Sequence, residues 1–102
     1  YVMTAYRCHG HYLAKGGSCR AGLAELLGKD TGCVRGRGGS MHFFDAKLRF
    51  MGGWGIVGAQ IPVAAGLAFG SKYQGKDEVT LCFLGDGAIN IGPFHEGLSM
   101  AA

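Results

Sequence analysis

The chain has 102 residues, of which 48% are hydrophobic and 17% are charged. This length allows one small domain at most, and this composition excludes an intrinsically disordered chain. Residues 1–49 contain eight Lys or Arg and three Asp or Glu, a formal charge of +5, whereas the remaining residues have a charge of −2. The basic half is therefore able to attract an anionic cofactor or nucleic acid.

The twenty glycines show no collagen period, which indicates backbone packed closely against a ligand or another subunit. The sequence begins without Met and ends inside a predicted helix, so we expect residues 1–102 to be a fragment of a single domain, truncated at both ends. No signal peptide or membrane span is visible. The four cysteines lack C-x-x-C spacing and favour free thiols in a reducing compartment over disulfides or a zinc site.

Residues 1–6 predict a short strand at the start of the chain. Arg7 follows this strand, and a guanidinium at a strand end is able to make a bidentate contact with phosphate, although a surface arginine is the simpler interpretation. His9 and His11 are two residues apart and would point to opposite faces of a strand, so a shared metal ion is not expected.

A helix is predicted over Cys19–Leu27, with Ser18 as its N-cap. Leu23, Leu26 and Leu27 form one apolar stripe on this helix, which we assign to packing.

Residues 31–42 form a basic, glycine-rich segment without hydrophobic period, called here the basic glycine loop. A long loop in a small domain is typical of a functional segment. Its single arginine–glycine run is weak evidence for RNA binding, because the flanking sequence is that of a folded domain. Further along, Val63–Tyr73 predicts a helix rich in Gly and Ala, which would allow close approach to a neighbouring helix, sheet or chain.

The stretch Val79–Leu84 is a continuous apolar run, which predicts a strand buried on both faces of a parallel sheet. The turn Gly85–Gly87 ends it, and residues 92–102 predict a helix with Pro93 in its first turn. A strand, a glycine turn and a helix in this order place anions at the carboxyl end of a sheet, and Asp86 is able to ligate a hard cation. The residues therefore suggest a site for a diphosphate with Mg²⁺.

Four segments together carry a resemblance to a known family: Ala5-Tyr6-Arg7-x-His9-Gly10, Gly36–His42, Gly52–Pro62 and Gly85–Ala88. The chain resembles the alpha subunit of the thiamine-diphosphate-dependent first component of 2-oxoacid dehydrogenase complexes, over essentially all of its length. The bacterial pyruvate dehydrogenase and acetoin dehydrogenase subunits are the members that it resembles most. The resemblance implies an α/β thiamine-diphosphate-binding fold, with a parallel sheet flanked by helices.

The resemblance also implies roles for individual residues. Tyr6 and Arg7 match the pair that contacts the diphosphate region of the cofactor. Gly55 and Val57 match backbone groups that hold its aminopyrimidine ring.

At the other end of the chain, Asp86 matches a Mg²⁺ ligand, and Gly87 and Ala88 match backbone contacts to the diphosphate. Ala46 is expected to line the entrance to the site. The resemblance places the second side-chain ligand of Mg²⁺, an asparagine, downstream of this chain.

The implied reaction is the oxidative decarboxylation of pyruvate, with acetyl transfer to the lipoyl group of a partner dihydrolipoyl acyltransferase. The implied assembly is a heterotetramer with a beta subunit that supplies the catalytic glutamate, so the fragment alone is expected to be inactive. The compartment would be the bacterial cytoplasm, or the mitochondrial matrix in a eukaryote. The alternatives are cleavage of acetoin, a non-catalytic assembly protein and a nucleic-acid-binding module; we expect neither nucleic acid nor membrane as a partner.

Overall fold

Three parallel strands form the sheet in the computed structural model, which describes all residues from Tyr1 to Ala102. Strand β1 (Val2–Ala5) lies in the middle, with β2 (Phe50–Trp54) on one side and β3 (Leu81–Cys82) on the other. The predicted α/β class with a parallel sheet flanked by helices is therefore confirmed.

The register aligns the starts of the strands, because Val2 pairs with both Phe50 and Leu81. Ala5 pairs with Trp54 at the far end of β1, after an irregularity between Val2 and Thr4. All three strands consequently end at the same side of the sheet, called here the carboxyl edge. In parallel α/β sheets this edge is where ligands bind.

The helices that flank the sheet are α1 (His9–Ala14), α2 (Cys19–Leu26), α3 (Gln60–Tyr73), a 3₁₀ helix (Asp86–Asn90) and α4 (Gly92–Ala101). The predicted N-cap of α2 is present, since the Ser18 hydroxyl accepts a hydrogen bond from the Ala21 N–H at 3.3 Å. Helix α3 begins three residues before its predicted start, so that Pro62 lies in the first turn, where a proline is tolerated.

The sequence interpretation was wrong at two elements near the carboxyl edge. His9 and His11 lie in helix α1 and not in a strand. Strand β2 was not predicted, since Gly52 and Gly53 lower its strand propensity. The close approach of another segment explains these glycines, since a Cβ on Gly53 would lie 2.7 Å from the Cys8 sulfur.

The burial predicted for Val79–Leu84 was also wrong. Only Leu81 and Cys82 pair as a strand, and the side chains of Val79 and Leu81 are 76% and 53% exposed. An apolar run indicates a strand, but it does not specify what covers the faces. In this chain β3 has a single neighbour, β1.

The leucine stripe of α2 is a fourth correction. Leu23, Leu26 and Leu27 are 56%, 43% and 73% exposed, so they do not pack within this chain. The buried residues of α2 are instead Gly22 and Glu25, which face the core and the basic glycine loop.

A small aromatic core lies beside β1 and β2. Tyr12 of α1 meets Phe43 and Phe50 edge-on, with ring centroids 5.2 Å and 5.8 Å apart. Cys8 completes the buried cluster. Edge-to-face aromatic pairs of this kind add to the free energy gained from area burial alone.

Helices α3 and α4 pack closely at Gly97, where there is no room for a side chain. A Cβ on Gly97 would lie 2.7 Å from the Ile61 side chain and 3.1 Å from the Pro62 backbone nitrogen. By contrast, Gly66 and Gly70 on α3 have no atom within 4 Å of a Cβ. The predicted packing of the Gly- and Ala-rich face of α3 against another chain stays a prediction.

We predict that Gly97→Ala lowers the free energy of unfolding by about 1–2 kcal/mol, because overpacking against a backbone exceeds the gain in helix propensity. Gly66→Ala is the matched control. It should raise the free energy of unfolding by about 0.5–1 kcal/mol, because a Cβ at Gly66 meets no other atom and alanine favours the helix. Urea unfolding of both variants measures the difference. Equal stabilisation by the two substitutions would contradict the close α3–α4 contact.

Candidate functional site

A cavity of about 440 Å³ opens at the carboxyl edge, and it is called here the edge cavity. It is lined by the ends of β1 and β3, the turn before α3 and the start of the 3₁₀ helix. Six of the eight site residues expected from the sequence line it: Tyr6, Arg7, Val57, Asp86, Gly87 and Ala88. Its volume lies within the usual range for small-molecule sites.

The wall of the edge cavity includes one cationic side chain, Arg7, and one anionic side chain, Asp86, and neither has an ionic partner. Arg7 is exposed and forms no salt bridge or hydrogen bond; its guanidinium carbon lies 5.9 Å from the Tyr6 ring centre. The Asp86 carboxylate is also exposed and accepts no hydrogen bond. The single salt bridge of the chain lies elsewhere, between Arg49 and Glu78. Both groups are thus available to a ligand that carries an anion and a cation.

The glycine turn Gly85–Gly87, which includes the start of the 3₁₀ helix, leaves its backbone accessible. A Cβ on Gly85 or on Gly87 would have no atom within 4 Å, so the space beside both residues is open. The Ala88 N–H is used within the turn, where it donates to the Gly85 carbonyl at 3.0 Å. An open glycine turn in the same cavity as Arg7 fits a phosphate-bearing group, and the Asp86 carboxylate would suit a hard cation that accompanies it.

Two expected site residues lie outside the edge cavity. Gly55 follows β2 and lines a neighbouring cavity of about 650 Å³ together with His42, whose imidazole would lie 3.0 Å from a Cβ on Gly55. Ala46 is exposed in the turn that precedes β2, where its carbonyl accepts from the Arg49 N–H at 3.0 Å. That turn lies at the amino ends of the strands, so the structure does not bring Ala46 to the carboxyl edge.

The structure adds two polar residues to the edge cavity that the sequence interpretation missed. His11 lines it and packs on the Phe83 ring, with centroids 4.3 Å apart. Gln60 is 1% exposed, and its amide nitrogen donates to the Phe83 carbonyl at 3.1 Å, while its amide oxygen has no partner. The available signal for Gln60 was a polar residue inside an otherwise apolar run.

A third missed residue, Glu25, organises the basic glycine loop. It is fully buried, and its two carboxylate oxygens accept four backbone N–H groups, at 2.8, 2.8, 2.6 and 3.2 Å, from Val34, Gly36, Gly38 and Gly39. Such charge-assisted hydrogen bonds are stronger than neutral ones. The loop therefore has a defined conformation despite its glycines.

Burial of the carboxylate raises the pKa of Glu25, but the four backbone hydrogen bonds together outweigh it, so the pKa lies below its ordinary value of 4.5. Glu25 is accordingly an anion inside the protein at neutral pH. Its charge is compensated by oriented N–H dipoles and not by a basic side chain.

The end of the basic glycine loop reaches the carboxyl edge. His9 donates from Nε2 to the Ser40 carbonyl at 2.8 Å, and the Cys8 thiol donates to the same oxygen at 3.7 Å. Ser40 and Met41 thereby form one side of a second cavity of about 320 Å³, called here the loop cavity. Its other side is formed by Tyr6 and Arg7, which it shares with the edge cavity.

A comparison with protein families adds independent information. The family model described as dehydrogenase E1 component matches residues 1–102. The chain belongs to this family. Its resemblance to the E1 alpha subunits of 2-oxoacid dehydrogenases is thereby confirmed, and the family depends on thiamine diphosphate.

Individual relatives of this E1 chain agree with the family match. It is 50% identical to the pyruvate dehydrogenase E1 component subunit alpha of Rickettsia bellii. It is 52% identical to the corresponding subunit of Rhizobium meliloti and to the mitochondrial one of Solanum tuberosum. These alignments cover 99% of the chain but 31%, 29% and 26% of the respective relatives. The chain thus spans between about a quarter and a third of the length of the curated relatives it matches.

The E1 chain offers few metal ligands of its own. It contains no group of three or more His, Cys, Asp or Glu side chains able to hold a metal ion. Asp86 alone fits Mg²⁺, which is commonly held by one or two carboxylates together with the phosphates of a ligand. None of the helices is long and apolar enough to cross a membrane.

We predict that Glu25→Gln removes a pH-dependent part of the stability. Because the pKa of Glu25 is lowered on folding, its carboxylate stabilises the fold above pH 4.5, and this contribution is lost as the pH falls from 4.5 through the lower pKa of the folded state. Urea unfolding near neutral pH and at about pH 3 should show the gap between wild type and variant shrinking in acid.

The control for loss of one negative charge is Asp30→Asn, since Asp30 is exposed and makes no hydrogen bond. A gap between wild type and Glu25→Gln that stays constant over this pH range would contradict the assignment of Glu25 as a buried anion.

Proposed function

We propose that this chain is part of the alpha subunit of pyruvate dehydrogenase, which oxidatively decarboxylates pyruvate with thiamine diphosphate and transfers the acetyl group to a lipoyl group. Family membership and the names of the relatives support this proposal. The observation that carries it is the edge cavity, which is lined by an unpaired Arg7 and by an open glycine turn that contains the unpaired Asp86.

The residues present fit the diphosphate and its cation. Arg7 offers a planar fork of N–H donors that matches phosphate oxygens, and the open turn at Gly87 leaves room for an anion to approach the backbone. Asp86 would supply a carboxylate oxygen to Mg²⁺, which the diphosphate would also ligate. Tyr6 and Val57 would border the cofactor on the side of β1 and of the turn before α3.

Thiamine diphosphate, when bound, supplies the nucleophile and the electron sink for decarboxylation. The residues of this chain bind and orient it. His11 and Gln60 lie in the wall of the edge cavity, where His11 packs on the Phe83 ring and Gln60 donates to the Phe83 carbonyl. Following the resemblance, the glutamate that completes catalysis would come from a beta subunit in a heterotetramer, and the acetyl group would pass to a dihydrolipoyl acyltransferase.

Pyruvate is favoured over acetoin as substrate, because the relatives described above are all named pyruvate dehydrogenase. We also propose that the chain is one part of a longer thiamine-diphosphate-binding domain, as its share of the relatives' length suggests. Following the resemblance, its compartment would be the cytoplasm of a bacterium or the mitochondrial matrix of a eukaryote; one relative is named as mitochondrial.

We predict that Asp86→Ala in the full-length subunit, assembled with its beta partner, abolishes Mg²⁺-dependent binding of thiamine diphosphate. The substitution removes the one carboxylate of the edge cavity. Calorimetric titration of the cofactor with and without Mg²⁺ measures the effect. Asp77→Ala, which removes an exposed carboxylate in the turn before β3, should bind like wild type. Retained wild-type affinity in Asp86→Ala would rule out this metal site.

We predict that Arg7→Lys weakens binding of thiamine diphosphate by about 1–3 kcal/mol, because an ammonium cannot reproduce the bidentate contact of a guanidinium with phosphate. The fold should be unaffected, since Arg7 is exposed and makes no hydrogen bond. The same titration at matched Mg²⁺, with Arg20→Lys on the exposed start of α2 as control, tests this. An Arg7→Lys affinity equal to wild type would remove Arg7 from the site.

A further inference from the structure

The buried carboxylate of Glu25 has no part in the proposed contacts with the cofactor. Neither the edge cavity nor the loop cavity includes it. It nevertheless accepts more hydrogen bonds than any other side chain in the protein, and all four come from the basic glycine loop. A buried charge whose hydrogen bonds all come from one loop fixes the conformation of that loop, which indicates that this conformation is needed for function.

The loop is shaped around this carboxylate. Arg35, Gly36 and Gly39 have positive φ angles of 56°, 71° and 55°, and in this conformation four N–H groups of the loop point to the same carboxylate. Such a concave arrangement of N–H groups is a binding site for an anion. Here the anion is part of the chain, and it comes from the last turn of α2.

The carboxylate is connected to the carboxyl edge through the end of the loop. Gly39, which donates to Glu25, is followed by Ser40, whose carbonyl accepts from His9 and from Cys8. His9 and Cys8 directly follow Arg7 in sequence. The end of the loop is therefore hydrogen-bonded to the two residues that follow Arg7, beside the loop cavity.

We propose that Glu25 is a positioning residue: it holds the wall formed by Ser40 and Met41 opposite Tyr6 and Arg7, and so prepares the site for thiamine diphosphate. This inference rests on the proposed function. A loosened wall would have to be ordered each time the cofactor binds, which weakens affinity without changing the groups that contact the cofactor. The expected signature is weaker cofactor binding with an unchanged kcat at saturating cofactor.

The experiment uses the full-length subunit assembled with its beta partner and the variants Glu25→Gln and Asp30→Asn. The glutamine has one acceptor oxygen and presents an NH₂ donor to loop N–H groups, so it cannot satisfy all four. We expect the Kd for thiamine diphosphate, by calorimetry at fixed Mg²⁺, to rise about tenfold in Glu25→Gln, as for other residues that act through a neighbour. Asp30→Asn should bind like wild type.

Three further measurements separate positioning from a general loss of structure. Amide hydrogen exchange should accelerate in residues 32–40 of Glu25→Gln while β1 stays protected. The kcat at saturating cofactor should stay within about twofold of wild type, since no group that touches the cofactor is changed. In Glu25→Ala, added formate should restore affinity for the cofactor, because it supplies a carboxylate to the vacant N–H groups.

The outcomes distinguish this inference from the proposed function. Wild type that fails to bind thiamine diphosphate would overturn the proposed function, and the inference with it. Wild type that binds, together with Glu25→Gln of equal affinity, would overturn only the role of Glu25. Loss of assembly in Glu25→Gln without formate rescue of Glu25→Ala would also overturn it, since Glu25 would then only maintain the fold.

Discussion

The parallel pairing of β1 with strands on both of its sides is the constraint on which the site depends. Val2 pairs with the first residues of β2 and β3, so the three strands end at one edge although they lie far apart in sequence. Arg7 and Asp86 reach the same cavity only because of this register. A slip of one residue would move every side chain of β1 to the opposite face.

A second constraint is internal charge compensation by backbone N–H groups. Burying an isolated carboxylate is costly, and a common solution is a basic partner. Here the carboxylate of Glu25 accepts hydrogen bonds from the backbone of a loop, and the glycines of that loop allow the backbone to approach it closely. At Gly36 a side chain is excluded twice, by a positive φ of 71° and by a Cβ position 2.5 Å from the Gly28 carbonyl carbon. The high glycine content of this segment thus reflects geometry and not disorder.

Local signals in the sequence predicted those elements whose formation depends on local chemistry. Ser18 marked the start of α2, and Pro93 marked the first turn of α4, because capping and proline act within one turn. Strand β2 was missed, because its Gly53 leaves room for Cys8, a residue that is distant in the sequence. The role of Glu25 was invisible for the same reason: nothing in a helix-forming segment indicates which loop will surround a carboxylate.

Burial was the least predictable property, because hydrophobicity identifies an apolar face but not its partner. Only 17 of 102 residues are buried, while Leu27, Tyr73 and Val79 are among the large apolar side chains left exposed, which is consistent with further packing partners for this E1 chain. The most direct measurement of the proposed site is a crystal structure of the full-length subunit, assembled with its beta partner, with thiamine diphosphate and Mg²⁺. The diphosphate should lie in the edge cavity beside Arg7, with Mg²⁺ on the Asp86 carboxylate. A diphosphate bound away from both residues would contradict it.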